Sequence, residues 1–322
     1  RRYVVSKFAI VSWRDGELQI TSPVTKTTLR TSDTSALSLL ATFASPRTIE
    51  DTSALIRDWI AAAILVDADA PEPAALHHWD RNAVALQASS RDPAWRKKPG
   101  MSTDAIAPRR SAMTIPLPAC SARAGERDLA ALLDARRSRR NWSSHPIGIQ
   151  AFSDLFWLSA RNRAASRFQG HVSRPYPSGG AAYSLELYPV LADDAVETID
   201  GGVYRYLPDA HALELVSPFS ADWQPFLVAA GRAAGTMPPP VAIVITSRFA
   251  RQSEEYSGLA YSLVLKEVGS LFQTLYVVAE SLGLAACGLG GGTPAALLAE
   301  LCNTTELEEP VVGEFAIGAA AD

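Results

Sequence analysis

The chain is poor in the residues that build metal and disulfide sites. Its 322 residues hold three cysteines, Cys120, Cys287 and Cys302, far apart and without C-x-x-C spacing. That excludes a disulfide framework and fits a reducing, cytoplasmic setting. The five histidines supply one close pair, His77-His78, and adjacent residues do not share the i, i+4 face on which a helix holds a metal. No metal is expected. No apolar run reaches the roughly 18 residues that span a bilayer, and the most apolar stretch, VAIVITSRFA, is short and carries an arginine. Neither sign of charge dominates: 30 Lys and Arg against 34 Asp and Glu leave a net charge of −4. Such a balance draws the chain to neither nucleic acid nor an anionic membrane. G-x-G-x-x-G and Gly-Lys-Ser/Thr loops are missing as well, which disfavours a nicotinamide Rossmann site and an ATPase. The chain opens on Arg1-Arg2 without the apolar stretch of a signal peptide, and is read as trimmed or as one domain of a longer protein.

What is present is an ordinary globular mix, 48% hydrophobic and 20% charged, at a length comfortable for two domains. Residues 1–70 read as a small winged-helix-like domain. YVVSKFAIVSW and GELQITS are β segments joined at Asp15-Gly16, a hairpin signal. Leu55, Ile56, Trp59, Ile60 and Ile64 then follow a helical spacing. The unit is read as a docking module for a peptide or carrier, or as a structural cap. Residues 71–125 are broken by Pro71, Pro73, Pro93, Pro99, Pro108, Pro116 and Pro118, and read as an extended arm with one short helix around Ala74–Ala88. Residues 126–322 read as an α+β domain. It starts with a helix ending in a basic cluster, continues through a hairpin turning at Pro208-Asp209, and has a buried strand in VAIVITSRF. A long helix from about Glu254 to Leu282 and a final strand in VVGEFAIG complete it.

Three segments of this domain carry candidate chemistry. Arg136-Arg137-Ser138-Arg139-Arg140 offers guanidinium forks and one hydroxyl, a donor set suited to a phosphate monoester; a solvated helix face has the same composition. Pro175-Tyr176-Pro177-Ser178-Gly179-Gly180 combines a stiff entry with glycines that let backbone groups approach a flat ligand, and also serves as a plain turn before a strand. Cys287-Gly288-Leu289-Gly290-Gly291-Gly292 offers backbone amides.

Their order identifies a relationship. RRSRRNW, RPYPSGGAAYSLELYP, GVYRY, YSLVLKEVGSLFQTLYVVAESLGLAACGLGGG and VGEFAIG, in that sequence, resemble the SagB/ThcOx-type FMN-dependent dehydrogenases of the nitroreductase superfamily. These are the azoline dehydrogenases of peptide maturases and of nonribosomal peptide assembly lines. The resemblance covers about 190 residues, and the N-terminal unit and arm look like that family's extension. It implies a nitroreductase-like fold, with a central mixed or antiparallel sheet flanked by helices, in a homodimer with FMN at the subunit interface. Arg136, Arg137, Ser138 and Arg140 match the family's flavin-binding segment. Pro177, Ser178, Gly179 and Gly180 match the loop against the isoalloxazine, and Gly288, Leu289, Gly290 and Gly291 the late loop. The substrate implied is a thiazoline or oxazoline within a peptide or on a carrier protein, with a cyclodehydratase or assembly-line partner. In such enzymes a base removes the ring proton and a hydride passes to the flavin.

The chain departs from that family at one position. A Lys-Tyr pair is expected at the start of the long helix, and here Glu255 precedes Tyr256. Glu255 is read either as a base or as a solvated residue of a helix's first turn. Lys266 lies roughly 16 Å further along a helix and is left out of the catalytic pair. Three readings follow: azoline oxidation with Tyr256 and Glu255 handling the proton; a different two-electron oxidation of a peptidyl or carrier-bound substrate; and a flavin-free peptide-docking subunit.

Overall fold

The computed structural model describes residues 1–49, 53–90, 113–121, 128–163, 172–218, 224–256 and 258–321, apart from the side chains of Ser90 and Glu255. The chain divides into two compact units, Arg1–Trp95 and Arg96–Asp322.

The first unit contains β1 (Arg2–Val5), β2 (Ile10–Arg14), β3 (Glu17–Ser22), β4 (Thr27–Thr31), α1 (Ser35–Ala41), β5 (Arg47–Thr48), α2 (Ala54–Ala61), β6 (Leu65–Asp67) and α3 (Arg81–Ser90). The turn at Asp15-Gly16 forms with both residues at positive φ, +53° and +80°, and pairs Arg14 with Glu17. This is the twist that two-residue hairpin turns require. The expected single strand YVVSKFAIVSW is broken. Ser6 and Phe8 are buried at the break, and β1 and β2 join separate sheets, ordered β5-β1-β6 and β2-β3-β4. Ser53 caps α2 by accepting from the Ile56 amide. The helical face read from the sequence places Ile56 and Trp59 in a core with Leu18, Ile20 and Leu40. Residues read as an arm contribute a short 3₁₀ turn at Ala74–Leu76 and α3 to this unit.

The second unit is built on one seven-stranded sheet, ordered β12-β13-β11-β8-β9-β10-β7, with every neighbouring pair antiparallel. Its elements are β7 (Thr114–Pro116), α4 (Leu129–Ala135), α5 (Ile149–Ala160), β8 (Leu185–Leu191), β9 (Gly202–Leu207), β10 (Ala212–Pro218), α6 (Gln224–Ala234), β11 (Val241–Ser247), α7 (Phe249–Glu255), α8 (Ala260–Ser281), β12 (Leu284–Leu289), α9 (Ala295–Leu301) and β13 (Val311–Ala319). Period-two alternation sends Val241, Ile243 and Ile245 of β11 to one face with α5 and α8. Ala242 and Val244 go to the other, with α6 and α9. Helices therefore cover both faces of the sheet.

Three expected features differ. The helix before the basic cluster stops at Ala135, and Arg136 turns extended at φ −55°, ψ 122°. Arg139 draws the chain out, because its amide donates to the Ala286 carbonyl at 2.9 Å while its guanidinium pairs with Glu280 at 2.8 Å. The long helix is really two, α7 and α8, with Tyr256 non-helical at φ −131°. Glu255 thus closes a helix instead of starting one. Finally, α8 is long and apolar enough by length and composition to cross a membrane. Its continuous apolar run is interrupted by Lys266-Glu267, and Val264, Val268, Leu271 and Leu275 lie in the core against the sheet.

Candidate functional site

Two of the three candidate segments meet at Tyr276 on α8. The Ser138 hydroxyl and the Tyr276 hydroxyl lie 2.8 Å apart. The Gly288 amide donates to the same phenol oxygen at 2.6 Å, so the basic segment, α8 and the end of β12 form one hydrogen-bonded chain. Tyr276 is held by an edge-on contact with Phe315, centroids 4.9 Å apart. The Arg136 guanidinium stands 5.2 Å above its ring. A side chain at Gly288 would press on the Phe272 ring at 3.2 Å, which explains a glycine there. At Gly290 and Gly291 an added Cβ would meet nothing within 4 Å, so the backbone after the buried Leu289 faces open space.

The arginines divide by partner. Arg139 is committed to Glu280. Arg137 and Arg140 are exposed and Arg136 is half-buried, and among the described residues none of these three is ion-paired. The arginine held by Glu280 is therefore the one the family pattern leaves unspecified. Of the other three, Arg137 donates its Nε to the Ala135 carbonyl at 3.4 Å, and their remaining guanidinium donors are of the kind that bind an anion.

The remaining segment, Pro177–Gly180, lies elsewhere on α8. Gly179 packs against Leu263, where a Cβ would sit 3.2 Å from a Leu263 methyl carbon. Gln252 of α7 donates to the Gly179 carbonyl at 3.4 Å. Arg248 donates its amide to the Ser184 carbonyl at 2.8 Å. The loop between them is strained: Gly180, Ala181 and Tyr183 all have positive φ, +63°, +57° and +44°. A left-handed backbone is costly for the two non-glycine residues, and such strain gathers where a site demands it. The Ser178 oxygen accepts from the Tyr183 amide at 3.0 Å and ties the loop to itself.

Of the candidate catalytic pair, Tyr256 is half-buried and its amide donates to the Gln252 carbonyl at 3.0 Å. It thus stands one turn from the side chain that holds Gly179. Glu255 ends α7, and its side chain lies outside the described residues. Lys266 is exposed.

Sequence reasoning passed over the buried polar group beneath this loop. Arg174 is 6% exposed and donates to the Tyr176 hydroxyl at 3.0 Å and the Leu185 carbonyl at 2.7 Å. Glu186 and Arg248 form a buried pair at 2.7 Å. Glu267, 2% exposed, points at the same place, and burial pushes its carboxyl up to about 7 against the opposing pull of Ser178, Arg174 and Ser184. The signal available was the acid itself, a carboxylate on the face of α8 that otherwise carries core residues.

Residues 133–319, more than half of the chain, match the Nitroreductase family. A nitroreductase-like protein of Methanocaldococcus jannaschii is 27% identical over 159 residues, 49% of this chain and 76% of that protein. The microcin B17-processing protein McbC of Escherichia coli is 33% identical over 148 residues, 43% of this chain, and the match spans 54% of that relative's length. A solved nitroreductase-like structure from Ralstonia eutropha superposes with a TM-score of 0.50 at 24% identity, over 71% of this chain and 99% of that one, and supports the fold. The chain belongs to the Nitroreductase family, whose members are FMN-dependent oxidoreductases, and FMN is its cofactor.

Proposed function

We propose that this chain oxidises a thiazoline or oxazoline, carried on a peptide or a carrier protein, to the corresponding thiazole or oxazole. The observation that carries the substrate class is the 33% identity to a microcin B17-processing protein, joined to the segment order of the azoline dehydrogenases. When bound, FMN would supply the hydride acceptor that such an oxidation needs, with dioxygen as the final oxidant.

The chain's own residues fit that cofactor. Arg136, Arg137 and Arg140 with the Ser138 hydroxyl hold the phosphate, since guanidinium forks match its oxygens. In the Gly288, Leu289, Gly290 and Gly291 segment, Gly290 and Gly291 present backbone where no side chain intrudes. Pro177, Ser178, Gly179 and Gly180 bring backbone against the flat ring. Tyr256, with Glu255, handles the substrate proton close to Gly179.

A homodimer completes the site in this reading. Leu263, which meets the Pro177–Gly180 loop, and Tyr276, which gathers the other two segments, are 13 residues apart on α8, about 20 Å along its axis. One chain therefore carries the parts at opposite ends of a helix, and a second copy supplies a closer partner for each. The exposed apolar side chains of Leu129 and Leu133 on α4 and of Tyr261 and Leu265 on α8 offer the contact. The N-terminal unit docks the peptide or carrier, with a cyclodehydratase or an assembly line as partner, in a cytoplasmic setting. Glu255 in place of lysine favours a second reading, another two-electron oxidation of a tethered substrate.

The test is anaerobic mixing of the yellow protein with a thiazoline peptide. Bleaching of the flavin absorbance is expected. A flavin that stays oxidised with every thiazoline and oxazoline tried defeats the substrate assignment, and a protein that purifies colourless and takes up no FMN defeats the cofactor site.

A further inference from the structure

Glu267 lies on α8, one of the two helices that hold the Pro177–Gly180 loop. On α8 it lies one turn after Leu263, the residue against Gly179. Its Oε2 accepts from the Ser184 hydroxyl at 3.4 Å, and Ser184 in turn accepts from Ser247 at 3.0 Å. The Ser178 side chain, near the same carboxyl, favours its ionised form. Its other oxygen, Oε1, is buried with no partner, and so is Oε1 of Gln252, the α7 side chain whose amide nitrogen holds the Gly179 carbonyl. Each is a buried acceptor without a donor, and at Glu267 Oε1 a bound proton removes the need for one.

The charged groups around it come from each packed element. Arg174, ahead of β8, favours the ionised carboxyl, while its Nε donates to Asn162 and its Nη1 to Tyr176 and Leu185. On β8, Glu186 pairs with Arg248 at the start of α7. Arg251 of α7 donates to the Tyr183 carbonyl at 3.5 Å. Ionised Glu267 leaves Oε1 charged, buried and unbonded, whereas neutral Glu267 puts a hydrogen there.

We propose that Glu267 is a proton-bearing positioning residue for the Ser178–Gly180 loop: as the neutral acid it seats the loop, and ionised it draws the Ser178 and Ser184 hydroxyls inward and reshapes it. This rests on the reading that the loop lies against FMN, and it adds a pH-dependent control of that site.

The experiment uses the full FMN-loaded chain between about pH 5 and pH 9, bracketing an acid displaced from the usual carboxylate range. Infrared difference spectra of the wild type are expected to show a protonated carboxyl lost with a midpoint near 7, absent in Glu267→Gln. Hydrogen exchange of the Gly179–Ala182 amides is expected to change with the same midpoint, and FMN affinity by about fivefold or more. Glu267→Gln, which keeps a neutral donor, is expected to hold the low-pH behaviour throughout. Ser178→Ala, losing a hydroxyl that favours the ionised acid, is expected to raise the midpoint, and it covers a Glu267→Gln that fails to fold. No protonated carboxyl in this range, or loop exchange in Glu267→Gln with the wild-type pH dependence, overturns the proposal. Loop exchange that titrates while FMN affinity stays flat upholds the link between proton and loop and overturns the placement of the loop against the flavin.

Discussion

Tyr276 is where a single oxygen atom does most to hold separate parts of the chain together. Tyr276→Phe keeps the ring against Phe315 and removes the bridge between Ser138 and the Gly288 amide. A part-buried backbone donor left without its acceptor costs on the order of 1 kcal/mol, so thermal melts are expected to show that loss together with weaker FMN retention. Arg137→Ala is expected to behave differently, with an unchanged melting temperature for the flavin-free protein but a colourless preparation. Full FMN occupancy in that variant contradicts the phosphate assignment. Glu267 sets a pH dependence of stability whose sign follows from its raised value. The folded carboxyl binds its proton up to about 7, whereas an ordinary glutamate loses it near 4.5. The native state thus holds the extra proton between those limits, and stability falls as pH rises through them, by on the order of 3 kcal/mol. Urea unfolding of wild type and Glu267→Gln across that range measures it, and parallel curves refute it. The arginine segment was legible in the sequence, but Glu267 was not, because a Lys-Glu pair in a helix reads as a solvated face. Only the burial of Glu267 beside an exposed Lys266 separates the two.

At the scale of elements, what is set by local chemistry was readable. The Asp15-Gly16 turn, the hairpin turning at Pro208-Asp209 that pairs Leu207 with Ala212, and the apolar strand Val241–Ser247 follow from turn residues and side-chain period. What depends on distant partners was not. Nothing local stops the helix at Ala135, since Arg136 onward is pulled extended by Ala286 and Glu280 from far along the chain. The break between α7 and α8 carried one local signal, Gly258, and an isolated glycine inside a helical pattern is tolerated. The arm hid β7, which His211 helps to fasten. The His211 ring faces the Tyr206 hydroxyl at 2.9 Å on one nitrogen. On the other it faces Ser153 at 2.8 Å and the Pro118 carbonyl at 3.2 Å, while its backbone carbonyl accepts from the Leu117 amide at 3.1 Å. Burial lowers its ring below the usual 6.5. The unfolded chain therefore takes up a proton first as pH falls, and this fastening weakens below about pH 6.5. Exchange protection at Leu117 is expected to drop there in the wild type. His211→Asn, which tolerates the left-handed backbone at φ +47°, is expected to lose that pH dependence, and its persistence there speaks against the ring as the cause.

For the whole molecule, the proposed pairing predicts a solution mass twice that of the 34.5 kDa chain. Leu133→Glu combined with Leu265→Glu is expected to halve that mass and to release FMN together with it. Flavin retained by a monomer defeats the shared site. The fold class was legible from the order of segments over the last 190 or so residues, because an α+β unit of this kind keeps its strands and long helices in sequence. The contribution of the arm was not. By supplying β7, residues that look like a tether finish the sheet, and this changes where the flavin-binding part begins. A fragment starting at residue 126 lacks β7 and leaves β10 as a bare sheet edge, with unpaired amides and carbonyls at Ala212–Glu214. Such an edge recruits other chains. Light scattering is expected to show that this fragment aggregates, whereas one starting at residue 112 stays dispersed; the short strand acts as a guard against self-association.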